Sequence, residues 1–313
     1  MSAATFDHRP VMVDEIVTVF GTVPPGTVLD ATLGGGGHAE ALLDRYPHLS
    51  VLGLDRDAQA IDAARQRLGR FGKRVTTVHS RFDRLIEVLA DSGVESLAGA
   101  LFDLGVSSPQ LDHAERGFSY RNEGPLDMRM DPRTGPSAAD VVNSYDEADL
   151  ARVIRDYGDE RFARRIARAI VAARPITTTT SLAATVAAAI PAATRRTGGH
   201  PAKRTFQALR IEVNSELDQL PGSLDRAIDA TAPRGRVAVL TYHSGEDRIV
   251  KQRFSEAVTG ACTCPPGLPC VCGATPTVRR VRVPRTPSDE QATSNRRARS
   301  ARLRVVEKLG TAR

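Results

Sequence analysis

The sequence predicts an α/β protein in which a parallel sheet carries helices on both faces and is interrupted by an inserted all-helical segment. Three observations predict it. From Thr27 to Asp103 short apolar runs alternate with helical patterns, at about thirty residues per strand–helix unit. Between about 113 and 220 no strand candidate stands. An apolar run then returns at Arg236–Tyr242, after the Pro233-Arg234-Gly235 turn.

The elements follow in order. Val13, Ile16, Val17 and Phe20 share a helical face within Val11–Phe20, a block that Pro24-Pro25-Gly26 closes. Thr27–Thr32 reads as a buried strand, and the glycine run 34–37 opens a helix over about His38–Arg45. Further strands are predicted at Ser50–Leu54, Val75–Val78 and Leu97–Phe102, with helices at Ala58–Leu68 and Arg84–Ala90. Val106–Pro136 reads as loop, punctuated by Pro109, Gly117, Gly124, Pro125 and Pro132. Ser144 with Glu147 predicts a capping box, opening a helix whose apolar face is Leu150, Val153, Ile154 and Tyr157. Helices follow at Phe162–Ala173, stopped by Pro175, and at Leu182–Ile190, stopped by Pro191. A continuous one is expected over Lys203–Leu220. Thr277–Val283 and Ala301–Lys308 are candidates for the last strands. The predicted organisation is a discontinuous sheet domain, 1–112 and 213–313, around a helical insertion, 113–212.

The chain has 313 residues, enough for two domains, and is 41% hydrophobic and 26% charged, as soluble globular proteins are. No apolar run approaches the roughly 18 residues of a membrane span. The first ten residues have no apolar signal core, so a cytosolic protein with no membrane partner is expected. The net charge of +6 is modest. Its distribution is not even: Arg279, Arg280, Arg282, Arg285, Arg296, Arg297, Arg299, Arg302 and Arg304 gather near the C-terminus, which reads as a solvated basic segment or as a nucleic-acid contact.

The chemistry concentrates at predicted strand ends. Asp30-Ala-Thr-Leu-Gly-Gly-Gly-Gly-His38 places an acid at the end of a strand and a glycine run before a helix. Glycines allow close backbone approach to a ligand and positive φ, and the helix N-terminus offers unpaired N–H groups. Thr32 stands where a dinucleotide fingerprint has its first glycine. The loop fits better the looser acidic-x-x-x-Gly-x-Gly pattern of S-adenosylmethionine (SAM) enzymes; a plain strand–helix turn is the bland alternative. Asp55 ends the second strand, where a carboxylate can accept ribose hydroxyls. Asp57 suits a helix N-cap. Phe82 either flanks an adenine or packs in the core. The fourth strand exits into Asp103-Leu-Gly-Val-Ser107-Ser108-Pro109-Gln110. A polar residue before proline, with its carbonyl turned inward, can accept the N–H protons of an exocyclic amine and free its lone pair for in-line attack. An NAD-dependent oxidoreductase shares the glycine loop and Asp55 but leaves Asp103–Gln110 unexplained. A non-catalytic RNA-binding or ribosome-assembly factor is the rival outside enzymology.

Asp103-Leu-Gly-Val-Ser-Ser-Pro-Gln-Leu-Asp112, Ala114-Glu-Arg-Gly-Phe118 and Gly124-Pro-Leu-Asp-Met-Arg-Met-Asp131 resemble the RsmH/MraW family of bacterial small-subunit ribosomal RNA cytosine-N4 methyltransferases. The resemblance extends to His8-Arg9-Pro10-Val11, the glycine loop, Arg204-Thr-Phe-Gln-Ala-Leu-Arg-Ile-Glu-Val-Asn214 and Tyr242-His-Ser-Gly-Glu-Asp-Arg248. It implies a Rossmann-like, SAM-dependent methyltransferase domain with an inserted helical domain. It implies methylation of N4 of a P-site cytidine in 16S rRNA of the small ribosomal subunit. It makes Gly36, Gly37, His38, Asp55, Phe82, Asp103 and Gln110 the SAM contacts. Asp103, Ser107 and Ser108, with the Pro109 carbonyl, are the candidate amine-orienting groups. Lys203, Arg204, Arg210 and His243 are candidate RNA contacts, with intradomain salt bridges as the alternative for the cations and a structural hydrogen bond for the histidine. Tyr242 and Asp247 leave the fifth predicted strand beside His243. Cys262, Cys264, Cys270 and Cys272 form two Cys-x-Cys pairs. They are read as reduced thiols or as a structural zinc site, and no metal is required for the chemistry.

Overall fold

The computed structural model describes residues 10–195, 199–265, 271–295 and 298–310. The chain divides into two compact units, Met1–Gly105 with Gln219–Arg313, and Val106–Asp218.

The first unit holds the sheet. Its elements run α1 (Val13–Phe20), β1 (Gly26–Asp30), α2 (Gly37–Arg45), β2 (Leu49–Asp55), α3 (Ala58–Leu68), β3 (Val75–His79), α4 (Leu85–Asp91) and β4 (Leu97–Asp103). The second unit contributes α5 (Ser108–Asp112), α6 (Ala138–Ser144), α7 (Glu147–Gly158), α8 (Ala163–Ala172), α9 (Thr179–Ala189), α10 (Ala192–Arg195) and α11 (Lys203–Asn214). The chain returns to the first unit within α12 (Glu216–Ala230) and ends with β5 (Thr231–Thr241), α13 (Ser244–Thr259), β6 (Val278–Arg280), α14 (Asp289–Ser294) and β7 (Arg302–Lys308).

The seven strands are ordered β3-β2-β1-β4-β5-β7-β6. β1 to β5 are parallel; β7 runs antiparallel to β5, and β6 antiparallel to β7. The order reverses between β1 and β4, which makes the carboxyl ends of these two strands the topological switch point where open α/β sheets bind ligands. Both faces of the sheet are covered, so its strands read as unbroken apolar runs. Successive side chains still alternate between two cores. Leu29, Leu54 and Phe102 pack with Leu85 and Leu89 of α4 and with Leu220, Leu224, Val250 and Phe254. Val28, Leu101, Ala238 and Leu240 pack with Ile16 and Phe20 of α1. Complete burial of one such Leu or Phe contributes about 1.5–3 kcal/mol. The arginine-rich C-terminal segment contributes two strands to the sheet, and Arg279, Arg280, Arg282, Arg285, Arg299 and Arg302 remain exposed to solvent. β7 pairs with β5 over Arg302–Thr241 to Glu307–Arg236, and Glu307 binds both Arg236 and Arg279.

The helical unit begins at Val106, not at 113, and extends to Asp218, not 212. The predicted loop supplies its core: Phe118, Leu126, Met128 and Met130 are buried among Leu150, Ile154, Ile166, Ile170 and Leu209. Loop side chains follow no period, so the sequence pattern did not reveal them. Two helix boundaries also differ. Ser144 ends α6 and donates its hydroxyl to Asp140 O, while Asp146 caps α7 by accepting the Asp149 N–H at 2.8 Å. The expected helix Lys203–Leu220 breaks at Ser215, whose φ is 49°. Buried Asn214 fixes the break, accepting from Met130 N at 2.9 Å and donating to Met128 O at 2.8 Å.

Candidate active site

Three adjacent parallel strands each end in a carboxylate: Asp55 on β2, Asp30 on β1 and Asp103 on β4. Asp30 is 1% exposed. Burial pushes its carboxyl up to about 7 against the attraction of His38 and the Thr32 N–H, and the neighbouring Asp103 and Asp55 add to the rise. Asp55 is half-buried; one oxygen accepts from Gly34 N and the other from Asp57 N, both at 2.8 Å. Lost hydration still lifts it to about 6. Asp57 caps α3, accepting from Gln59 N.

Asp103 is held from three directions. Its Oδ1 accepts the Tyr242 phenol at 2.6 Å, its Oδ2 lies 3.4 Å from His38 Nε2, and its N–H donates to Thr32 Oγ1 at 2.6 Å. Burial, then the Asp103 charge, raises Tyr242 well above the ordinary phenol range. Tyr242 therefore remains a hydrogen-bond donor at any physiological pH. His38, in the first turn of α2, is buried, and neither ring nitrogen has a partner in hydrogen-bond geometry. Buried polar atoms in this state call for a polar ligand. The glycine run turns tightly to reach α2: Gly36 is its N-cap with φ 79°, and a Cβ there would stand 3.0 Å from Leu68. Together these groups fit a ligand that brings a cation and hydroxyls to the carboxylates and an anionic or acceptor group to the α2 N-terminus and the imidazole.

Phe82 follows β3, half-buried, with its ring edge-on to Phe102 at 5.8 Å. Core packing accounts for one side of it. In the helical unit, Ser107 and Gln110 form a cap: Ser107 N donates to Gln110 Oε1 at 3.0 Å, and Gln110 is buried. The expectation of an inward Pro109 carbonyl does not hold. Pro109 occupies the first turn of α5, where its missing N–H is no loss, and its carbonyl accepts from His113 N at 2.9 Å along the helix axis.

The expected RNA contacts divide. Lys203 and Arg204 are exposed on α11, with Arg204 donating to Asp159 O. Arg210 is clamped by Glu216 through two bonds of 2.8 Å, so the salt-bridge reading holds there. His243 caps α13 and lies 3.0 Å from Glu246; it has the structural role. Asp247 is taken by Arg304, at 2.7 and 2.9 Å. The structure adds cations that the sequence reading had not connected. Within the sheet unit a concavity of about 570 Å³ is lined by Tyr242, His243, Arg248, Lys251, Arg299 and Arg302. Their signal was diffuse, since β7 brings residues fifty apart together. His8, Arg9, Cys270, Arg296 and Arg297 lie outside the described residues.

A profile of the MraW methylase family matches residues 5–309. The chain belongs to the MraW methylase family. It is similar to a protein named ribosomal RNA small subunit methyltransferase H from Brevibacillus brevis, 48% identical over 99% of this chain and 100% of that one. The protein of that name from Mycolicibacterium smegmatis is 51% identical over 97% of this chain and 84% of its own length. That from Mycobacterium tuberculosis is 56% identical over 84% and 70%. The sheet unit is thus the Rossmann-like domain of a SAM-dependent methylase, and the carboxylates, glycine loop and His38 stand where its fold binds ligand. No helix among the described residues is long and apolar enough to cross a membrane.

Proposed function

We propose that this methylase transfers the methyl group of SAM to the N4 amine of a P-site cytidine in small-subunit ribosomal RNA, working in the cytoplasm. The observation that carries the reading is Asp103, a carboxylate at the switch point with one oxygen fixed by a phenol whose ionisation burial and the Asp103 charge oppose. Its other oxygen can accept an N–H proton. The substrate class rests on the relatives' names and on motifs that run through the chain.

SAM supplies an electrophilic methyl on a sulfonium. Asp55 and Asp103 give that cation a negative setting, Asp55 accepts ribose hydroxyls, and Gly36, Gly37 and His38 line the amino-acid end. Phe82 lies against the adenine, and Gln110 fixes the Ser107 turn. The cytosine amine has its lone pair drawn into the ring. Acceptance of its N–H bonds by Asp103 returns that pair to nitrogen and aims it at the methyl carbon. The C–S bond breaks as the C–N bond forms, S-adenosylhomocysteine leaves, and one amine proton passes to solvent. Orientation supplies most of the acceleration.

Transfer to ring carbon C5 fits less well, because it starts with a nucleophile adding to the ring. All four cysteines lie within 262–272, so no thiol stands in the strand-end segments 30–38, 103–110 and 241–248. Exposed Arg248, Lys251, Arg299 and Arg302, with Lys203 and Arg204 of the helical unit, take the RNA phosphates. Incubation with methyl-labelled SAM and unmethylated small-subunit particles tests the proposal. Label in the small-subunit RNA is expected; label only in large-subunit RNA or DNA overturns it.

A further inference from the structure

The segment between α13 and β6 is not used by the methyl-transfer chemistry. Among its described residues, 260–265 and 271–277, none is buried, and Val271 is 88% exposed. The described residues of this connection form no regular structure and no core, and so lack the apolar burial that would offset their ordering entropy. Its base is nevertheless pinned. Ala261 N donates to Glu256 O at 2.8 Å and Thr277 N to Ala257 O at 3.0 Å. Gly260 has φ 65°, and a Cβ there would stand 2.5 Å from Thr275 N, so the two limbs touch at a position only glycine suits.

Beyond that contact three thiols converge. The sulfurs of Cys262, Cys264 and Cys272 all lie within 4.8 Å of one another, and Cys262 and Cys272 are 3.6 Å apart. A disulfide requires about 2.05 Å. Thiolates on one tetrahedral zinc, with Zn–S of about 2.3 Å, stand about 3.8 Å from each other. The 3.6 Å between Cys262 and Cys272 is close to the edge of such a tetrahedron. The Val271 N–H donates to Cys264 Sγ at 3.4 Å. An N–H···S bond of this kind stabilises the thiolate that a metal needs.

We propose that Cys262, Cys264 and Cys272 bind a structural zinc ion that orders the segment between α13 and β6. Binding displaces the thiol protons to solvent and leaves the metal without a redox role. The zinc free energy takes the place of a core, as in other small metal-ordered segments.

The full chain, made in zinc-sufficient medium and purified without chelator, should carry about one zinc per molecule. Cobalt loaded in its place should show an intense thiolate-to-metal charge-transfer band. C262S/C264S should lose the zinc and the band while keeping SAM affinity, since none of the cysteines belongs to the strand-end site. If the double variant does not fold, the cobalt band of the wild-type chain decides. Metal-free wild-type protein that gives no cobalt band on titration would overturn the proposal. So would a Cys262–Cys272 disulfide in protein isolated anaerobically.

Discussion

Asp30→Asn tests the electrostatics of the strand ends. Asparagine keeps the shape and the Oδ1 that accepts from Thr32 N, but it cannot ionise. The native carboxyl is raised from 3.8 to about 7 by burial, with His38 opposing. Between those values the unfolded chain has released a proton that the folded protein retains. Stability therefore falls as pH rises from about 4 to about 7 and levels off above. At 1.36 kcal/mol per pH unit, about three units amount to about 4 kcal/mol lost by pH 8, of which less than half is lost by pH 5. The variant escapes that loss. Urea unfolding followed by circular dichroism at pH 5 and pH 8 should show the Asp30→Asn protein gaining on wild type by about 2–3 kcal/mol between the two conditions. Asp55, lifted to about 6, is common to both proteins and cancels to first order. A difference that does not change with pH would refute the assignment of a buried, protonated Asp30.

Other consequences are equally direct. Tyr242→Phe removes a hydrogen bond to a charged group, worth about 1.5–3 kcal/mol; kcat should fall about 10- to 100-fold with the KM for SAM little changed, and an equal rise in KM would make Tyr242 a binding residue instead. Gly36→Ala forces a side chain into φ 79° beside Leu68; calorimetry should show a lower Tm, with a loss of about 1–2 kcal/mol, and weaker SAM binding. Replacing Arg299 and Arg302 by alanine should weaken RNA affinity and lower the salt slope by about 0.7 per lost phosphate contact; an unchanged slope removes them from the interface. Asn214→Ala strands the Met130 N–H and the Met128 carbonyl and should destabilise the protein by about 3 kcal/mol in urea.

The sheet was legible because its strands are short apolar runs separated by helices, and Ala58–Leu68 appears as the spacing predicts. Strand-end acids and the glycine run stand out for the same reason: they interrupt a strong pattern. What escaped detection depends on tertiary structure. Tyr242 reaches Asp103 across 139 residues of chain, and no local pattern encodes that pairing. The Pro109 carbonyl was misread because serine–proline serves a helix N-terminus as well as it serves an amine acceptor. Asn214 resembles any helical residue until the Met128–Met130 backbone is placed against it. The basic concavity depends on β7 lying beside β5, which gathers arginines that the sequence presents as one undivided charge run.

Nucleoside mass spectrometry of small-subunit RNA treated with SAM and the enzyme identifies the methylated atom. N4-methylcytidine is expected at a single position, absent when Asp103→Asn replaces the wild type even at saturating SAM. C5-methylcytidine or a ribose methyl as the product, or undiminished N4 methylation by the variant, would contradict it.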